Sequence, residues 1–84
     1  MFKLKSPDGK NNLCGNNIAK IRQNFDPPLS QRKLAQKLQV MGYDVDHYMI
    51  RRIETGQRYV TDIEIKALAE ALEITYQDLI DGHK

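Results

Sequence analysis

Ile50-Arg51-Arg52-Ile53-Glu54-Thr55-Gly56 reads as the end of a helix. Ile50 and Ile53 are spaced to share one face, so the arginines between them turn the other way. Gly56 supplies the stop, because glycine accepts a left-handed backbone cheaply. Upstream, Leu29-Ser30-Gln31-Arg32-Lys33-Leu34-Ala35-Gln36-Lys37-Leu38 is a second amphipathic helix with Ser30 as its natural N-cap. Two short helices, the second with an outward basic face, suggest a helix-turn-helix that reads DNA.

The chain of 84 residues makes one domain. A chain this short buries only about 60–65% of its unfolded surface, so the core must be tight. Leu, Ile, Ala, Lys, Gln and Glu dominate and favour helices, while alternating β-branched runs are lacking. The lone Cys14 excludes an internal disulfide. Cys14, His47 and His83 are too few and too scattered for a zinc site, so no metal is expected. No apolar run reaches the roughly 18 residues of a membrane span. The opening MFKLKSPDGK lacks the apolar segment of a signal peptide. A cytoplasmic protein with no membrane contact is expected.

Charge is divided along the chain. Residues 1–40 hold eight Lys/Arg against two Asp/Glu, residues 41–60 are balanced, and residues 61–84 hold two against six. A basic front and an acidic back orient a protein against a polyanion. Two plainly solvated faces would give the same count.

Residues 1–15 read as a flexible arm, with Lys3, Lys5 and Lys10 among Pro, Gly and Asn. Asn16 or Asn17 is the expected cap of a first helix whose Ile18, Ile21 and Phe25 share a face. Pro27-Pro28 ends it by about Asp26. Leu34, Ala35 and Leu38 form the buried stripe of the second helix, with Val40 or Met41 as its extension and Gly42 as its stop. Asp46 caps the third helix, running roughly from His47 to Thr55. Thr61 and Glu64 match a capping box before Ile65, Leu68, Ala69 and Leu72. Thr75 caps a short fifth helix that packs through Leu79 and Ile80 and ends at Gly82.

This pattern resembles the Cro/cI-type helix-turn-helix family, also called XRE-like or lambda-repressor-like domains. LSQRKLAQKL, IRRIETGQR and IKALAEALEITYQDLI carry the resemblance, over about residues 16–81. It implies an all-α, compact five-helix bundle whose second and third helices form the helix-turn-helix. One departure stands out. The family joins those two helices by three or four residues, whereas Gln39 through Val45 separate Leu38 from Asp46 here. Either the second helix runs a further turn or the loop is longer. Val45, just before the cap, is expected in the buried turn position.

The resemblance assigns His47, Tyr48 and Arg52 to base reading, with Arg52 suited to guanine O6 and N7. It assigns Gln31, Arg51, Gln57, Arg58 and Tyr59 to phosphate contacts, which position such a protein. Glu54 would repel phosphate unless neutralised, and Arg22 occupies the place of its family partner. Lys3, Lys5 and Lys10 would follow the DNA backbone, enter a minor groove, or take no part.

The expected function is sequence-specific binding of double-stranded DNA by a transcriptional regulator, a repressor, working as a homodimer on a palindromic operator. The alternative is an antitoxin or partner-bound interaction module, in which the acidic helices after Thr61 meet a regulatory protein. No nucleophile–base pair and no glycine-rich phosphate loop points to an enzyme, and no cofactor is implied.

Overall fold

The computed structural model describes residues 5–82. Lys3 and His83, named above for an arm contact and for metal binding, lie outside them. Among the described residues there are five helices and no strand: α1 (Gly15–Gln23), α2 (Gln31–Val40), α3 (His47–Glu54), α4 (Asp62–Leu72) and α5 (Tyr76–Asp81). None of these helices is long and apolar enough to cross a membrane.

Local chemistry starts four of the helices. The Ser30 hydroxyl accepts from the Lys33 amide, the Asp46 carboxylate from Met49, and the Thr75 hydroxyl from Asp78. Thr61 and Glu64 form the reciprocal capping box at α4, at 3.2 and 2.8 Å. The first helix departs from expectation. It begins at Gly15, ahead of Asn16 and Asn17, and neither of these caps it. Its first amide donates instead to Asn12 Oδ1 at 2.9 Å. Asn17 serves α5, donating from Nδ2 to the Leu79 carbonyl at 2.8 Å.

A single core collects the apolar stripes. Ile18 of α1, Leu34 and Leu38 of α2, Ile50 and Ile53 of α3, Leu68 and Leu72 of α4, and Leu79 of α5 are all fully buried. Ile21, Phe25, Val45 and Ile65 pack around them half-buried. Val40 does not extend the stripe, being 88% exposed. It lies two residues beyond Leu38, roughly 200° further around the helix, and so faces away from the core. Met41 is exposed as well.

The long connection between α2 and α3 resolves into two parts. The second helix gains less than a turn beyond Leu38 and ends at Val40. Gly42 then takes φ +98°, and the amides of Tyr43 and Gly42 donate back to the carbonyls of Leu38 and Gln39 at 3.0 Å each. This pair of hydrogen bonds is the glycine stop of a Schellman motif. Tyr43 and Val45 turn their side chains onto the core, and Gln39 Nε2 holds the Val45 carbonyl at 2.7 Å. The extra residues are thus bonded down at both ends. Gly56 ends α3 the same way, at φ +81°, with Gly56 and Gln57 donating to Ile53 and Arg52.

Within the stretch 1–15 expected as a flexible arm, Asn12 is hydrogen-bonded to the end of α3 and Asn11 to the turn after it, and Cys14 is 1% exposed in the core. Burial pushes the Cys14 thiol up to about 11, so it is protonated at neutral pH.

Candidate nucleic-acid interface

Helix α3 owes its orientation to two isoleucines and one ion pair. Ile50 and Ile53 are both 0% exposed, which fixes the inner face. Residues one and two positions along a helix point elsewhere, and Tyr48, Arg51 and Arg52 are accordingly exposed. Among the described residues, neither Arg51 nor Arg52 has an ion-pair partner. Both lie in the last turn, where the helix dipole favours a cation. His47 is half-buried, with its ring 4.1 Å from that of Tyr48. Met49 is half-buried against the core. The expected base readers therefore divide: Tyr48 and Arg52 are presented openly, and His47 is partly shielded by its neighbour.

Glu54 is neutralised. Arg22 Nε and Nη2 donate to its two carboxylate oxygens, each at 2.9 Å, in the bidentate geometry that suits a guanidinium to a carboxylate. The side chains are only 13% and 8% exposed. Arg22 Nη1 also donates to the Leu29 carbonyl at 3.0 Å. Gln31 Nε2 donates to Glu54 Oε1 at 2.9 Å. One carboxylate thereby joins α1, α2 and α3. Gln31 stands first in its helix, as a phosphate contact would require, yet its amide is turned towards Glu54.

The turn after α3 is similarly divided. Gln57 and Tyr59 are exposed. Arg58 is half-buried, and its Nη2 donates to Glu64 Oε2 at 2.5 Å. Burial alone would raise the Glu64 pKa. The hydrogen bond from Arg58, that from the Thr61 amide and the nearby guanidinium charge reverse this and hold it below the usual glutamate value. The Arg58 charge is therefore largely answered inside the protein. Of the expected phosphate set, Arg51, Gln57 and Tyr59 are exposed, and Arg58 and Gln31 are half-buried with their side chains bonded to Glu64 and Glu54.

Lys10 also departs from the free-arm expectation. Its methylenes lie over Gly56, where a Cβ would come within 2.6 Å of them, and its Nζ donates to Asn16 Oδ1 at 3.1 Å. Lys5 is exposed. Asn12 had no place among the expected site residues. Its only sequence signal is the residue type, a good helix cap, and it acts three residues before Gly15, four and five positions ahead of Asn16 and Asn17. Among the described residues, no three His, Cys, Asp or Glu side chains gather as a metal site would require.

Comparison with known proteins returns no matching family model, no matching curated protein and no matching solved structure.

Proposed function

We propose that the protein binds double-stranded DNA in a sequence-specific way as a transcriptional regulator, a repressor, with α2 and α3 as a helix-turn-helix of the Cro/cI type. Helix α3 would enter the major groove, Arg52 and Tyr48 would meet base edges, and Arg51, Gln57 and Tyr59 would meet phosphates. The observation that carries this reading is the division of charge on α3. Arg51 and Arg52 are exposed without ion-pair partners among the described residues, while the acid on the same helix is closed off by Arg22. An outward last turn whose exposed charges are both cationic suits a phosphate-lined groove. Sequence resemblance supports the same assignment, and a homodimer on a palindromic site is the assembly it implies.

The test is selection from a random duplex library with the parent and Arg52→Ala. The parent should enrich one motif. The variant should bind with a preference relaxed at one base position, a loss of about 1–3 kcal/mol on the selected site. Failure of the parent to retain any duplex at low salt would remove the reading.

A second reading, an antitoxin or partner-bound interaction module on the same fold, draws on the acidic part of the chain. Ile63 at 68% and Tyr76 at 56% are exposed there beside Asp62 and Glu70. Retention of random duplex without any enriched motif would favour this reading.

A further inference from the structure

Asn12 lies where three segments of the chain meet. Its Nδ2 donates to the carbonyls of Ile53 at 3.1 Å and Arg58 at 2.7 Å, and its Oδ1 accepts from the Gly15 amide at 2.9 Å. A carboxamide offers two N–H donors and one carbonyl, and all three are engaged. Asn11 adds its own amide to the Gly56 carbonyl at 2.9 Å and its Nδ2 to the Gln57 carbonyl at 2.8 Å. Two consecutive asparagines thus satisfy the carbonyls of Ile53, Gly56, Gln57 and Arg58. These belong to the end of α3 and to the turn that follows it, where the helix itself supplies few partners. Approach here is close: a Cβ on Gly15 would stand 2.2 Å from the Ile53 carbonyl oxygen.

The same turn carries Gln57 and Tyr59, both exposed beside α3. Left to itself, an irregular turn after a glycine stop samples several conformations and must be ordered when it meets a ligand. A turn already bonded from behind avoids that cost. The side chains of Asn11 and Asn12 supply such bonds from more than 40 residues away in the chain.

We infer that Asn12 is a positioning residue of the DNA interface: it holds the turn at residues 56–59 in fixed relation to α3, so that helix and turn meet the duplex as one preformed surface. This inference rests on the DNA-binding reading above. Asn12 touches no DNA and acts through the turn. Its removal should therefore weaken every duplex alike and leave base preference as it was.

The test compares the full chain with Asn12→Ser and Asn11→Ala. Serine can still accept from the Gly15 amide but is too short to span both carbonyls, so the start of α1 is kept and the turn released. The first readout is amide exchange in the free protein. The Gln57 and Arg58 amides, which donate to the Arg52 carbonyl, should exchange about tenfold faster in Asn12→Ser, with Leu68 in α4 unchanged. The second is titration with the selected duplex and with random duplex. Both affinities should fall roughly three- to tenfold, the worth of one or two hydrogen bonds. Asn11→Ala cuts one side-chain bond and should show a smaller loss in the same direction. It also keeps the test decisive should Asn12→Ser fail to fold. Parental affinity in the folded variants would overturn the positioning role. So would exchange that rises equally at Leu68, since that marks a general loss of stability. A parent that binds no duplex would instead overturn the DNA reading on which the inference stands.

Discussion

The two faces of α3 use the same residue types for opposite ends. Inward, Glu54 is enclosed by Arg22 and Gln31, and the carbonyl of Ile53 is covered by Asn12 and the start of α1. Outward, Arg51 and Arg52 stand exposed, with no ion-pair partner among the described residues. Arg22 gives two donors to Glu54 and one to the Leu29 carbonyl, and Arg58 gives one to Glu64. A guanidinium with its donors committed contributes to the fold, and an uncommitted one is available to a ligand. The contrast teaches that charge alone does not distinguish the two faces. What distinguishes them is whether the charge has an internal partner.

The contrast is most exposed to test at the ion pair. Arg22→Ala or Glu54→Ala strands a nearly buried charge and should destabilise the fold by about 3 kcal/mol, with strong coupling in the double-mutant cycle. Urea unfolding of the two single variants and the double variant measures this. Additive losses below about 1 kcal/mol would make the inner face no different from an ordinary surface pair.

Gly15 probes the same face through shape. A methyl group there collides with the Ile53 backbone, which belongs to a packed helix and cannot move alone. Gly15→Ala should cost roughly 1–3 kcal/mol, although alanine is the better helix former. A thermal midpoint at or above that of the parent would show that α1 and α3 are not held in close contact.

Glu64 tests whether Arg58 belongs with the inner group. Its folded pKa is depressed, so its contribution is fully present above the ordinary glutamate value of about 4.3 and is lost as pH falls through the folded value. Glu64→Gln should be less stable than the parent at pH 7, by about 1 kcal/mol because Arg58 is partly solvated, and the difference should shrink in acid. Urea midpoints across pH 2–7 check it. A constant difference would detach the effect from ionisation.

Smallest should be the effect of the outer arginines on stability. Arg51→Ala and Arg52→Ala remove no internal bond and should change it by less than about 0.5 kcal/mol. Chemical denaturation of both variants is the measurement. A loss above about 1 kcal/mol in either would mean that its guanidinium is committed to the fold after all, and the distinction between the faces would fail there.

Much of this architecture is legible in the sequence because it is local. Ser30, Asp46, Thr61 and Thr75 each cap a helix through an amide three residues away, and Gly56 stops α3 through its own backbone. Apolar spacing likewise places Leu34, Leu38, Ile50 and Ile53 inside and Arg51 and Arg52 outside, since the helical repeat is a property of the chain itself. Arg22 and Glu54 could be paired in advance only through family resemblance, because 32 residues separate them. The tertiary structure alone decided the rest. It turned Gln31 towards Glu54 and Arg58 towards Glu64, and bound Asn12 to α3 across more than 40 residues. A side chain's partner is set by which segments the core brings together. Neither propensity nor periodicity carries that information for a donor whose acceptor lies on another helix.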